Sequence, residues 1–238
     1  MNLTQLETDL LSAGFQRTQQ PLSFPVVIHG VPGCGKSTFI KTALANPNAV
    51  ARTLGAPYGD NLATEGVKTH SPNESLTQPL RILDEYQLGE RSTTSKYNLL
   101  FGDPYQGPFR LPPHFVKSVS HRVPRPVANF LRSRGFNLES ETPGVLITAH
   151  PFHPNSATQI LSSDKTFHLG TSSKQLCSSH QVNSYCPSQL AGSEFQRVAL
   201  VYHSTELKNK TAFYVACTRT RHTLCLVSDQ FNEFCTTT

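Results

Sequence analysis

The stretch VIHGVPGCGKST, Val27–Thr38, decides how the rest of the chain reads. An apolar run stops at Gly30, and Gly35, Lys36 and Ser37 complete the spacing Gly-x-x-x-x-Gly-Lys-Ser. Glycines at 30, 33 and 35 let the backbone turn so that successive N–H groups face inward onto a polyphosphate. The apolar run reads as a strand. KSTFIKTAL (Lys36–Leu44) reads as a helix whose N-terminal end adds positive potential at the same point. In that arrangement Lys36 reaches the outer phosphates and Ser37 offers its hydroxyl to Mg²⁺. Gly30, Val31, Pro32, Gly33, Cys34, Gly35, Lys36, Ser37 and Thr38 together form the expected nucleotide-binding loop.

A loop alone binds; turnover needs more groups. LRILDEY (Leu80–Tyr86) reads as a buried strand ending at Asp84, whose carboxylate is expected to hold Mg²⁺ through water. Glu85 is the candidate to orient or deprotonate the attacking water. YNLLFGD (Tyr97–Asp103) gives a third strand, and in the following turn Gln106 can touch the γ-phosphate as an uncharged donor. Phosphoryl transfer also needs positive charge on the developing γ-phosphate. Arg122 in SHRVPRP and Arg219 in YVACTRTR are the candidates, with Arg221 read as pairing nearby or facing nucleic acid.

The pattern then restarts. GVLITAH, RVALVYH and HTLCLVS read as strands, and NKTAFYVACTRTR (Asn209–Arg221) reads as a helix. Short apolar strands alternating with helical segments argue for α/β architecture with parallel sheets. Prolines 108, 112 and 113 suggest a boundary, giving expected domains 1–115 and 116–238. The first dozen residues read as a small helix ending at Gly14. Ser162–Ser184, poor in large apolar residues, reads as loop-rich.

The bulk numbers exclude several classes. The 238 residues are 37% hydrophobic with mean hydropathy −0.32, and no run approaches the ~18–20 apolar residues of a membrane span. MNLTQLETDLL lacks a basic start, so no secretory signal is expected. The six cysteines form no Cys-x-x-Cys and read as reduced thiols; Cys177, His180 and Cys186 match no zinc spacing. Net charge is +5, and it is uneven. Between Pro104 and Leu138 there is no acidic residue, while Arg110, Lys117, Arg122, Arg125, Arg132 and Arg134 fall there, interleaved with Phe109, Phe115, Phe130 and Phe136. Such a run suits single-stranded RNA, with cations on the backbone and rings available for stacking.

In order along the chain, GVPGCGKST, ILDEYQ, FGDPYQ, SHRVPRPV, SQLAGSEFQRVALVY and FYVACTRTRHTLCL resemble motifs I to VI of superfamily 1 RNA helicases. The compact length resembles the first proteins of the triple gene block of potexvirus-type plant viruses. That resemblance implies two RecA-like parallel-sheet domains in tandem, with the nucleotide site in the cleft between them. It assigns Lys36, Glu85, Gln106, Arg122 and Arg219 to catalysis, Ser37 and Asp84 to the metal, and Gly192 and Glu194 to the part of motif V facing nucleotide and nucleic acid. It implies ATP or another NTP and Mg²⁺ as cofactors, and an NTP-driven RNA helicase or translocase serving cell-to-cell movement of viral RNA, with silencing suppression. Viral RNA, other triple gene block proteins, viral coat protein, host silencing factors and a homo-oligomer are the implied partners. Host cytoplasm and plasmodesmata are the implied locations. The alternative is an RNA-binding transport and silencing-suppressor protein with incidental ATPase activity; a P-loop small-molecule kinase would leave the second sheet and TRTR unexplained. Motif Ia is indistinct, and TLGAPYGDNLATEG (residues 53–66) is where it is expected. Cys217 stands where motif VI usually has leucine.

Overall fold

The computed structural model describes residues 2–62, 65–190 and 192–238. The chain divides into two compact units, one ending at Val119 and the other starting at Ser120.

The first unit opens with α1 (Leu3–Ser12), capped by Asn2, whose side chain accepts from Gln5 N at 2.8 Å. The helix buries Leu6 and Leu10. Seven strands follow: β1 (Gln16–Arg17), β2 (Val26–Gly30), β3 (Ala49–Thr53), β4 (Lys68–Thr69), β5 (Leu80–Asp84), β6 (Leu99–Gly102) and β7 (Phe115–Lys117). They form one sheet in the order β1-β7-β2-β6-β5-β3-β4, parallel except for β1 against β7 at the edge. The helices are α2 (Lys36–Leu44) and the single turn α3 (Arg91–Thr94). β2 is buried along its whole length, as a central parallel strand covered on both faces must be. Alternation sorts its neighbours. Val27, Leu83 and Leu100 pack with Tyr86 and Tyr97 on one face, while Phe101 packs with Phe15 and Phe39 on the other. Each such side chain contributes about 1.5–3 kcal/mol on burial.

The second unit carries β8 (Val145–Ala149), β9 (Lys165–His168), β10 (Ser184–Tyr185), β11 (Phe195–Tyr202), β12 (Thr220–Ser228) and β13 (Cys235–Thr237). Their order is β10-β9-β11-β12-β8-β13, with only β13 antiparallel. Its helices are α4 (Arg125–Ser133), α5 (Pro154–Leu161), α6 (Thr171–Ser179) and α7 (Lys210–Cys217). Ile147, Ala199, Val201, Cys225 and Val227 form the core on one face. Tyr202, Phe213 and Phe130 form an aromatic group elsewhere in the unit.

The first unit ends at Val119, four residues past the expected 115, because Phe115–Lys117 is a strand beside β2. Two expectations need correction. Ser162–Ser184 is not mainly loop: it holds β9 and α6. Its buried positions include Ser173 and Cys177, which give no strong apolar period. The helix expected to reach Arg221 stops at Cys217, so Arg219 lies in a turn and Arg221 on β12.

The end of α6 supplies a stability test. Gln181 N donates to Ser178 O at 3.1 Å and Val182 N to Cys177 O at 2.8 Å, the hydrogen-bond pair of a Schellman turn. The left-handed position of that turn, φ 57°, is occupied by exposed Gln181 rather than glycine. Gln181→Gly is expected to stabilise the protein by about 1 kcal/mol, by removing the cost of a side chain in that region. Chemical denaturation of the two proteins measures the difference.

Candidate nucleotide site

Because β2, β6 and β5 are parallel and adjacent, their C-terminal ends open on one edge of the sheet. The loop after β2 carries Lys36, the residue after β6 is Asp103, and β5 ends in Asp84. The loop has the backbone that its glycines predict. Gly33 and Gly35 lie at φ 74° and 103°. A Cβ at Gly30 would overlap Cys34 Sγ and sit 3.1 Å from Lys36 Cγ, so the strand must end in glycine for the loop to fold back. Lys36 Nζ is buried inside this cradle and donates to Gly30 O at 2.7 Å and Val31 O at 3.2 Å. Burial opposes its charge, but the Cys34 sulfur and the carboxyls of Asp103, Glu85 and Asp84 hold the ammonium above the ordinary lysine value. A fixed buried cation inside a turn of glycines is the chemistry a polyphosphate requires.

Asp84 is buried, and burial together with the charge of Glu85 raises its pKa to about 6. Its Oδ1 accepts from Glu85 N at 3.0 Å and its Oδ2 from the Tyr58 hydroxyl at 2.7 Å. Burial, then the Asp84 carboxylate, push the Tyr58 phenol upward, so it stays a donor. Among the described residues no group of three or more His, Cys, Asp or Glu could hold a metal. One hydroxyl and one carboxylate suit Mg²⁺, which keeps waters and takes phosphate oxygens for its remaining ligands.

Glu85 adopts φ 55°, a left-handed conformation unusual for a side chain of its size. Its carboxylate accepts from Gln87 Nε2. Gln106 is anchored in turn: its Nε2 donates to Asp103 Oδ2 at 3.0 Å. Asp103 is buried, and that burial lifts its pKa to about 6 against the pull of Lys36. On the adjacent strand β2, His29 Nε2 lies 2.6 Å from the Tyr86 hydroxyl. Tyr86 accepts from Leu111 N at 3.2 Å, so its proton goes to His29. Burial, then Arg110 and Lys36, lower His29 to about 4 and keep it neutral. Tyr58, Asp103, His29 and Gln87 carry no role in the sequence reading. Asp103 had the clearest signal, an acid directly after a buried strand; Tyr58 had none beyond lying within residues 53–66. Of that stretch, Ala63 and Thr64 lie outside the described residues.

In the second unit, Arg122, Arg219, Gly192 and Glu194 come together near the starts of β11 and β12. Glu194 accepts from Arg122 Nη1, and from Arg221 Nε at 2.9 Å and Nη2 at 2.6 Å. Arg122 Nη2 also donates to Thr218 O at 3.3 Å. Arg219 is buried, and its carbonyl accepts from Phe195 N at 2.9 Å. Gly192 supplies φ 82° in the turn before Glu194. Arg221 pairs nearby, as read from the sequence.

The acid-free run behaves differently from its simplest reading. Phe115 and Phe136 are buried, and Phe109 packs edge-on against Tyr86. Phe130 is half-buried with the Arg134 guanidinium 4.7 Å from its ring centroid. These rings are occupied by the core or by that cation. The exposed face of α4 still carries Arg125, Asn129 and Arg132, one stripe at helical spacing, opposite buried Val127, Ala128 and Leu131.

Fold and site together define a P-loop NTPase with RecA-like sheets. Residues 26–228 match the viral superfamily 1 RNA helicase core domain. The chain is 36% identical over 219 residues to the movement and silencing protein TGBp1 of Potato virus X, covering 89% of this chain and 93% of that one. It is 34% identical over 220 residues to TGBp1 of Apple stem pitting virus (isolate PA66), covering 91% and 95%. A structure of arterivirus nonstructural protein 10, a helicase, with DNA aligns over 87% of this chain and 61% of that one, with TM-score 0.60 and 17% identity. This chain thus spans about three-fifths of that helicase, and the likeness shows the fold. The chain belongs to the viral superfamily 1 RNA helicases, in the family of the TGBp1 movement and silencing proteins.

The Asp84 environment predicts a pH dependence. The carboxylate must be ionised to serve a metal, and its pKa of about 6 stands above the ordinary 3.8. Mg²⁺-supported nucleotide affinity is therefore expected to fall as pH drops through about 6, by about tenfold per pH unit below it. Asp84→Asn is expected to flatten that profile. Titrations of a fluorescent nucleotide between pH 5 and about 8 check both.

Proposed function

We propose that this protein is an NTP-driven RNA helicase or translocase that serves as a viral movement protein with silencing-suppressor activity. One observation carries the reading: the buried Lys36 ammonium sits among the ends of three adjacent parallel strands, inside a loop that only glycine backbones can form. The names borne by the relatives support the movement and silencing roles.

Mg²⁺ with the triphosphate supplies neutralisation of the phosphate charge. The chain's own residues supply the rest. Lys36 binds the outer phosphates in the cradle. Ser37 and Asp84 orient the metal. Glu85 takes or orients a water proton, with Gln87 holding its carboxylate. Gln106, aimed by Asp103, senses the γ-phosphate. Arg122 and Arg219 stabilise charge developing on the γ-phosphate, with Gly192 and Glu194 shaping the loop that presents them. Single-stranded and viral RNA is the polyanion for the arginine stripe of α4. Other triple gene block proteins, viral coat protein and host silencing factors are the proposed partners, in host cytoplasm and at plasmodesmata. Among the described residues no helix is long and apolar enough to cross a membrane.

Hydrolysis of NTP with and without single-stranded RNA tests this. Turnover is expected to be stimulated by RNA and lost in Lys36→Ala. RNA binding without turnover in the intact protein would leave transport and silencing without a motor. Arg219→Ala is expected to keep nucleotide binding while losing hydrolysis by about 10³-fold or more; because Arg219 is buried, a melting curve accompanies the assay.

RNA affinity should be salt-dependent. Neutralising two phosphates, one for each arginine of the α4 stripe, gives a slope of log affinity against log salt of about −1.4. Filter-binding across a salt series measures it, and a slope near zero would remove the α4 stripe as the RNA contact.

A further inference from the structure

Tyr58 has no role in the sequence reading beyond lying in the stretch where motif Ia is expected. It stands in the segment between β3 and β4, which is fixed where Tyr58 leaves it: Tyr58 N donates to Val67 O at 3.1 Å and Val67 N to Tyr58 O at 2.8 Å. The ring is half-buried, with Lys41 Nζ of α2 5.9 Å from its centroid. The next residue, Gly59, takes φ 81°, and a Cβ there would come 3.0 Å from Lys41 Cε. Ring and backbone are thus set against α2, and the hydroxyl donates to Asp84 Oδ2 at 2.7 Å.

The chemistry of the carboxylate gives the phenol a task. The phenol's proton is committed to Asp84 Oδ2. The other Asp84 oxygen is held by Glu85 N. Both carboxylate oxygens therefore have fixed donors, so the plane of the carboxylate is set. Partners beyond the ligands commonly set ligand orientation, and their loss costs about 10–100-fold in metal affinity.

We propose that Tyr58 is a positioning residue for the Mg²⁺ of the nucleotide complex, fixing the plane of the Asp84 carboxylate through its phenolic hydroxyl. This rests on reading Ser37 and Asp84 as the metal's protein ligands. It ties the segment between β3 and β4, where motif Ia is expected, mechanically to the metal site.

The test uses the full chain and a fluorescent ADP analogue, titrated with Mg²⁺ and in EDTA. Tyr58→Phe keeps the ring and its packing on Lys41. It is expected to raise the Mg²⁺ needed for half-maximal support of binding by about 10–100-fold, with affinity in EDTA and the melting curve unchanged. Lys41→Ala disturbs the packing but keeps the phenol, and is expected to leave the Mg²⁺ requirement as it was. Three outcomes overturn the proposal. In one, Tyr58→Phe matches the unaltered protein while Asp84→Asn raises the Mg²⁺ requirement. In another, Lys41→Ala shifts the requirement as far as Tyr58→Phe, which makes packing and not the hydroxyl responsible. In the third, Tyr58→Phe loses binding equally in EDTA, which gives the phenol a role in the pocket's shape alone. Should Ser37→Ala and Asp84→Asn also leave the requirement unchanged, the ligand reading itself fails with it.

Discussion

A lysine ammonium buried in the first unit is the constraint around which the rest is arranged. An unpaired buried charge costs several kcal/mol even after relaxation. Lys36 meets that cost with two loop carbonyls and the negative groups of Asp84, Glu85 and Asp103. The same carboxyls are themselves desolvated, and Asp84 and Asp103 rise to about 6 for that reason. Neither the cation nor the acids would be tolerable alone. Their mutual compensation leaves a pocket with fixed charges and little room to rearrange, as phosphate chemistry requires of its binding groups.

That arrangement follows from parallel topology. Parallel strands place all their C-terminal ends on one edge, and the order β2-β6-β5 puts three such ends side by side. Segments distant in sequence then contribute single residues to one point. The cost appears in the backbone. Glu85 turns through φ 55° directly after Asp84, which bends the chain off the strand. Gly55 passes close enough that a Cβ would lie 3.2 Å from Glu85 Cγ. A bulky acid in a left-handed conformation, with glycine opposite it, marks a position where geometry outranks local preference.

What the sequence made legible follows the same logic. The phosphate loop was readable because its spacing is a backbone requirement: glycines stand where the chain must turn, at 33 and 35. Central strands were readable because burial on both faces writes a continuous apolar run. Tyr58 was not, since its task depends on a hydroxyl arriving from a loop whose path no periodicity encodes. β9 and α6 were missed for a related reason. α6 turns Ser173 and Cys177 inward, and Ser173 serves its own helix start by accepting from Leu169 N at 3.1 Å and Gly170 N at 3.2 Å. A small polar residue satisfied locally is cheap to bury, yet leaves no mark in a hydrophobic pattern. The phenylalanines of the acid-free run show the converse: rings beside cations suggest stacking on bases, but most are needed for the core.

The second unit solves a different electrostatic problem. Two arginines, 122 and 221, converge on one carboxylate, Glu194, and arginines brought so close would repel without it. The two are not equivalent. The Arg122 side chain is 17% exposed and Arg221 54% exposed. Solvent screens the outer pair, so its worth is at most about 1 kcal/mol. The inner pair is better shielded, and Arg122 also reaches the Thr218 carbonyl, which closes α7 just before Arg219. Glu194 therefore does more than balance charge. Through Arg122 it links the turn after Gly192 to the turn holding Arg219. A carboxylate in that position ties together two arginines that belong to separate motifs.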